Sequence, residues 1–220
     1  MTDQVVLVNS ADEVLGIADK LATHCRPARL HRAISVWMVN QSGELLFQRR
    51  SDQKIVGSGW WGNTVCGNVW PDESYEACAL RRLQVELGIT DAVVSPLLKF
   101  EYQTSANEIY NEHELDQLFI SQVSKEIIVQ LNLDEVSETL WIPKDEFFAE
   151  VDKSFQIYEK RFGKTYPTAA ETTQYSDEKL QMCTPALEVT LRQKQVLIVP
   201  WTLIMAQFPE LREAVSSAGA

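Results

Sequence analysis

The spacing of apolar positions changes several times along this chain, and each change predicts an element. Gln4 to Asn9 (QVVLVN) has strand character, and SADEVLGIADK is a polar turn leading into a second extended piece that Lys20 closes. Ala33 to Asn40 (AISVWMVN) and Glu44 to Arg50 (ELLFQRR), joined by QSG, predict a hairpin. Farther on the period lengthens. Ala79, Leu80, Leu83 and Leu87 recur at helical spacing, with Pro71, Asp72 and Glu73 at the start and Gly88 at the stop, which predicts an amphipathic helix. VVSPLLKFEYQ predicts a strand ending at Tyr102, TSANEIYN a turn-like insert, EHELDQLFISQV another strand, and TLWIPKDEFFAE a last strand running into a helix. From about Val151 to Gln195 the chain is polar and charged, and a helical insert serving as a lid or a dimer contact is expected there. VLIVPWTLIMAQFPELREAV then supplies a buried piece and a terminal helix.

Strands and helices interleaved in this way give an α+β protein. With 220 residues the chain can bury a core without staples. Residues 1–150 are expected to form the core of the domain and residues 151–220 a helical insert and C-terminal segment packed on it. The net charge of −11 makes nucleic acid and anionic membrane surfaces unfavourable partners. No apolar run is long enough for a membrane span. The cysteines lack paired metal spacing and the start, MTDQVVLVNS, has no signal-peptide pattern, so a reduced, cytoplasmic setting is expected.

Several side chains carry candidate chemistry. Arg82 and Glu86 are one helical turn apart and face the same side. Glu112 and Glu114 have period-two spacing, which puts both on one side of a strand that runs into the core. His24 and His31 lie in HCRPARLH, where Pro27 interrupts any helix, so a loop would have to bring them together. Read alone, two ordinary polar histidines are the simpler interpretation. Cys66, beside glycine in SGWWGNTVCGN, is either a small buried hydrophobe or part of a pocket wall.

Taken together, these stretches match a known pattern. Gly67, five residues, Glu73, seven residues, Arg81, then Leu83, Glu86, Gly88 and Ile89 follow most of the Nudix signature. Arg82 and Val85 stand where that signature usually has glutamates, which implies reduced equipment for metal-assisted hydrolysis. With NTVCGN, RRLQVELGI, HCRPARLH and EHE in order, residues 4 to 145 resemble type I isopentenyl diphosphate isomerase. The resemblance implies a Nudix-type α/β/α sandwich with a mixed central sheet and a C-terminal helical extension. It implies Cys66 and Glu114 as the acid and base pair, with Tyr102 hydrogen-bonded near Glu114. A first divalent metal (magnesium, manganese or zinc) would sit among His24, His31, Asn68, Glu112 and Glu114. Magnesium on Glu86 would bridge to the diphosphate, which Lys20, Arg50, Lys54 and Arg82 would grip.

Two positions depart from the family. Asn68 replaces its third histidine ligand, which weakens the site for a transition metal or shifts it towards a harder ion. Alignment on Trp201 puts Val196 or Leu197 where the family has a tryptophan facing the substrate, leaving Trp60, Trp61 or Trp70 to line the pocket. The implied function is double-bond isomerisation of isopentenyl diphosphate to dimethylallyl diphosphate. The alternatives are a repurposed relative that starts a cyclisation or rearrangement by protonating a longer prenyl chain, a Nudix hydrolase, and a catalytically weakened prenyl-diphosphate-binding protein. The expected partner is a small prenyl diphosphate, and a homodimer is one reading of residues 151–195.

Overall fold

The computed structural model describes residues 3–123 and 127–218. In chain order the elements are β1 (Gln4–Val8), β2 (Val14–Asp19), α1 (Lys20–His24), β3 (His31–Asn40), β4 (Glu44–Arg50), β5 (Trp61–Gly62), β6 (Val65–Asn68) and α2 (Tyr75–Leu87). There follow β7 (Ser95–Ser105), β8 (Asn111–Val123), β9 (Val136–Pro143), α3 (Lys144–Phe162), α4 (Ala169–Thr172), α5 (Asp177–Cys183), β10 (Leu187–Leu191), β11 (Lys194–Ile198), α6 (Pro200–Met205) and α7 (Pro209–Ser217). Among the described residues no helix is long and apolar enough to cross a membrane.

β3 is the axis of the sheet. Its almost uninterrupted apolar run is what a strand covered on both faces requires, and nine of its ten residues are buried. One side of β3 pairs with β8 in parallel and the other with β6 antiparallel. Ile34, Val36 and Met38 point to the face covered by α2, where they meet Ala79, Leu83 and Leu87. Burying each such leucine contributes about 1.5–3 kcal/mol. Trp37 and Val39 point the other way, into a core completed by Phe147 and Val151 of α3, Leu203 and Ile204 of α6, and Leu211 and Val215 of α7. Helices therefore cover both faces of a mixed sheet, as the Nudix resemblance implies.

The α2 helix begins where a cap is available. Ser74 accepts a hydrogen bond from the Ala77 N–H, and Gly88 ends the helix in the left-handed region with φ 69°.

Two sequence expectations need correction. The β3–β4 hairpin pairs only at Val39 and Leu45, because β3 gives its edges to β6 and β8 while β4 pairs with β9 and β5. Nor is β9 the last strand. Residues 151–183 are largely helical as expected, but β10 and β11 then form an antiparallel hairpin whose Ile198 joins Trp61 of β5 in parallel. The C-terminal segment thus extends the sheet as well as covering it.

Candidate active site

Strand register assembles the site. β3 pairs His31 with Glu114, Ala33 with Asp116 and Ala33 with Asn68, and it pairs Ser35 with Cys66. β7 sets Tyr102 opposite Glu114 and Thr104 opposite Glu112. Directly paired residues share a face, so His31, Ser35, Cys66, Asn68, Tyr102, Glu112, Glu114 and Asp116 all project from one side of the sheet. His24 arrives from the end of α1, and its ring lies 4.6 Å from that of His31 between centroids.

Both imidazoles are oriented by the backbone. His24 Nδ1 is 2.7 Å from the Lys20 carbonyl and His31 Nδ1 is 2.8 Å from that of Arg29. With Nδ1–H donating outward, each Nε2 faces the carboxylates: His24 lies 3.1 Å from Glu112 and His31 lies 3.6 Å from Glu114. Ligand atoms of His24, His31 and Glu114 all lie within 4.8 Å of one another. Imidazoles held through Nδ1 with Nε2 free, next to carboxylate oxygens, are a donor set that fits a divalent metal ion. Asn68 turns its Nδ2 towards the cluster, 3.0 Å from both His31 Nε2 and Glu114 Oε1. A half-turn of that amide would present Oδ1, a ligand atom, instead.

Burial by itself would lower the proton affinity of His24, but the adjacent Glu112 carboxylate outweighs it and lifts the imidazole from 6.5 to about 9. Burial likewise opposes ionisation of Glu112, and His24 overcomes it, bringing the carboxyl from 4.5 to about 2. Glu114 receives the Tyr102 hydroxyl on Oε2 at 2.5 Å. Burial and then Glu114 hold the Tyr102 phenol well above its ordinary value.

Cys66 is the other reacting group in reach. Its sulfur lies 3.3 Å from Ser35 Oγ, whose hydroxyl donates to Asp116 Oδ2 at 2.7 Å. Burial, followed by Asp116, pushes the thiol up from 9 to about 12, so it rests protonated. Asp116 is itself held well above the ordinary carboxylate range by burial and by Glu114. Its Oδ1 is buried without a hydrogen-bond partner among the described residues.

The basic residues converge beside this face. Arg82 contacts Glu86 at 2.8 Å and Glu135 at 3.2 Å, and Lys54 pairs with the same Glu135 carboxylate. Glu86 also accepts from Gln48 Nε2 at 3.3 Å. Arg50 donates to the Val56 carbonyl and lies over the Trp201 ring at 5.2 Å. Its charge acts on both Lys54 and Glu112, so the cations adjoin the carboxylates. Lys20 pairs with Asp3 at 2.9 Å, and Arg82 also acts on Asp3.

The structure thus brings the sequence candidates into two adjoining groups. It adds residues that sequence reasoning missed, the counter-ions Asp3 and Glu135 and the polar residues Ser35, Asp116 and Thr202, and it sets Asn63 of the NTVCGN motif against the thiol. Of the tryptophans offered as pocket lining, Trp70 is not available. Its ring lies 3.7 Å under the Arg81 guanidinium and its Nε1 donates to Asp3. Arg81 in turn is held by Glu73. Trp61 is buried in the core that also holds Tyr102 and Trp201 and against which Cys66 packs. Trp60 lines a cleft of about 340 Å³ together with Ala106, Thr184, Leu197 and Pro200.

Comparison with known proteins agrees with this arrangement. The NUDIX domain family matches residues 29–162. An isopentenyl-diphosphate Delta-isomerase 2 of Aromatoleum aromaticum is 35% identical over 158 residues, covering 72% of this chain and 82% of that protein. The isopentenyl-diphosphate Delta-isomerase 2 of Photorhabdus laumondii is 34% identical over 74% of this chain and 90% of its own length. A crystal structure of DR0079 from Deinococcus radiodurans has the same fold at a TM-score of 0.53 and 22% identity, covering 68% of this chain and 89% of that one.

Proposed function

The chain belongs to the NUDIX family and, within it, to the isopentenyl-diphosphate Delta-isomerases, and from that premise we propose that it converts isopentenyl diphosphate to dimethylallyl diphosphate by proton transfer. The observation that carries the reading is the placement of Cys66 and Glu114 on one face of the sheet, on strands either side of β3, next to the basic cluster.

Moving the double bond requires a proton delivered to one carbon and another removed from its neighbour. Cys66 and Glu114 divide these two steps, and the enzyme gains and loses one proton per turnover. The intermediate is a tertiary carbocation that water would capture, so the setting of a buried Glu114 and a half-buried Cys66 is a chemical requirement as well as a structural one. A half-buried thiol pushed up to about 12 is a poor source of thiolate at rest. The protonated thiol is therefore placed to give its proton to the alkene carbon, the cationic charge that forms there favouring the anion left on sulfur. The Glu114 carboxylate takes the proton from the neighbouring carbon, and its return to the thiol closes the cycle. Tyr102 fixes the Glu114 carboxyl through Oε2.

Lys20, Arg50, Lys54 and Arg82 grip the diphosphate, exchanging contacts with Asp3, Glu86 and Glu135 for contacts with phosphate oxygens. Arg82 suits an enzyme that must keep the diphosphate intact, where a hydrolase would place a carboxylate and metal. His24, His31, Glu112 and Glu114, with Asn68 after an amide turn, would hold one divalent ion and Glu86 a magnesium ion. When bound, these ions would supply charge that favours the ionised form of the Glu114 carboxyl and screens the diphosphate.

Turnover of isopentenyl diphosphate with magnesium in deuterated water tests the proposal. Deuterium is expected in the prenyl chain of the dimethylallyl product, and Cys66→Ala and Glu114→Gln should each lower the rate roughly 10²- to 10⁴-fold. A prenyl chain free of deuterium would overturn the reading, and phosphate release in its place would restore the hydrolase. A second reading, protonation-initiated cyclisation of a longer chain, draws on the cleft beside Trp60 and Leu197. Running longer prenyl diphosphates in the same assay decides between the two.

A further inference from the structure

Beyond assigning Cys66 a role, the isomerase reading does not say what holds its sulfur. The neighbours of the sulfur give an answer that reaches into the C-terminal segment. Asn63, 1% exposed, lies between β5 and β6, and Thr202, 0% exposed, lies in α6. Asn63 Nδ2 donates to the carbonyls of Val36 and Val65, both at 3.1 Å. The Thr202 hydroxyl accepts the Asn63 N–H at 3.2 Å, which leaves its own hydrogen for Asn63 Oδ1 at 2.8 Å. These partners fix the amide. Flipped over, it would turn Oδ1 onto two carbonyl oxygens.

The same amide meets the sulfur with both its ends, Nδ2 at 3.3 Å and Oδ1 at 3.4 Å. A thiol can donate to Oδ1, which has a second lone pair to spare beside the Thr202 bond. The Ser35 hydroxyl reaches the sulfur from the other side. With Nδ2 tied to two carbonyls and Oδ1 to Thr202, the amide is a fixed surface against which the thiol is set.

Resting on the isomerase reading for the role of Cys66, we propose that Asn63 is the group that orients the Cys66 sulfur, accepting the thiol hydrogen on Oδ1, and that Thr202 is the positioning residue that locks Asn63. The C-terminal segment is thereby part of the proton-transfer apparatus.

Thr202→Val removes the hydroxyl and keeps the shape. Thr202→Ser restores the hydroxyl. The valine variant is expected to lose roughly 10- to 100-fold in kcat, the scale of a small misplacement of a reacting group. KM for isopentenyl diphosphate should stay within about twofold, because Thr202 does not touch the diphosphate clamp. The serine variant should recover most of the rate. A purely structural role would not give this split together with rescue, and a valine variant with wild-type kcat overturns the inference. Should the valine variant fail to fold, Thr202→Cys, which keeps the volume and weakens the hydrogen bond, is read in the same way. If the wild-type protein does not turn over isopentenyl diphosphate, the isomerase reading falls separately. Crystal structures then decide the positioning: an Asn63 amide turned away from the sulfur in the valine variant supports it, and an unmoved amide and sulfur refute it.

Discussion

His24 and Glu112 stabilise each other's charged forms from within a buried site, and the pH range of that effect follows from the two shifts. The imidazole is raised from 6.5 to about 9, so its contribution is complete below 6.5 and is lost as pH rises through 9. The carboxyl is depressed from 4.5 to about 2, so its contribution is complete above 4.5 and is lost as pH falls through 2. In metal-free protein the pair should therefore stabilise the fold most between pH 4.5 and 6.5. Urea unfolding in the presence of a chelator should show the stability difference between wild type and His24→Asn shrinking as pH passes 9, and a difference that widens there would contradict the pairing. The titratable pairs of this site were legible because period two and motif spacing point to Glu112, Glu114 and the two histidines. Asp116 was within reach of the same rule, since it continues the alternation of the two glutamates by one more step. Asp3 and Glu135 were not, because a counter-ion is chosen by proximity and nothing local in the sequence marks it.

At the level of elements, the meeting of β6 and α2 sets how Arg82 of the proposed diphosphate clamp is presented. A Cβ added at Gly67 would lie 2.7 Å from Arg82 Cγ and 2.8 Å from its Cδ, so the strand passes directly against the stem of that arginine. Gly67→Ala should push the guanidinium out of place while leaving the rest of the fold intact, since the obstructing atoms belong to a flexible side chain. The loss of one charge-assisted contact, about 1.5–3 kcal/mol, corresponds to a KM raised roughly tenfold or more with kcat much less affected. Steady-state kinetics checks this, and an unchanged KM would remove Arg82 from the clamp. The α2 helix was readable from its apolar stripe and its terminal glycine. The β10–β11 hairpin was not. LEVTL and KQVLI alternate as strands should, but their turn is Arg192–Gln193, both at positive φ, 47° and 64°, where asparagine and glycine are the residues that announce a hairpin. Without that signal the stretch read as more of the polar insert.

Across the whole molecule, the C-terminal segment cannot be treated as an appendage. Ile198, Val199, Trp201, Leu203, Leu211 and Val215 share one core with Trp37, Phe47 and Tyr102. The full chain should unfold in a single transition, with tryptophan fluorescence and far-ultraviolet circular dichroism coinciding. A chain ending at residue 183 should fail to fold, and a stable truncated core would refute that unity. The Nudix architecture was visible in the sequence because its motifs are local, whereas this shared core is built from residues far apart in the chain.

Cys66 and Glu114, the proposed reacting groups, hang from strands on opposite sides of a common neighbour. Their separation is thus a ruler made of two inter-strand spacings, roughly 10 Å between backbone axes, with side chains closing the rest. Loops and helices overhead can be remodelled without altering that ruler. On the proposed reading, selection acting on this scaffold is free to reshape the ceiling above the prenyl chain, and with it the product, while the floor keeps the same gauge.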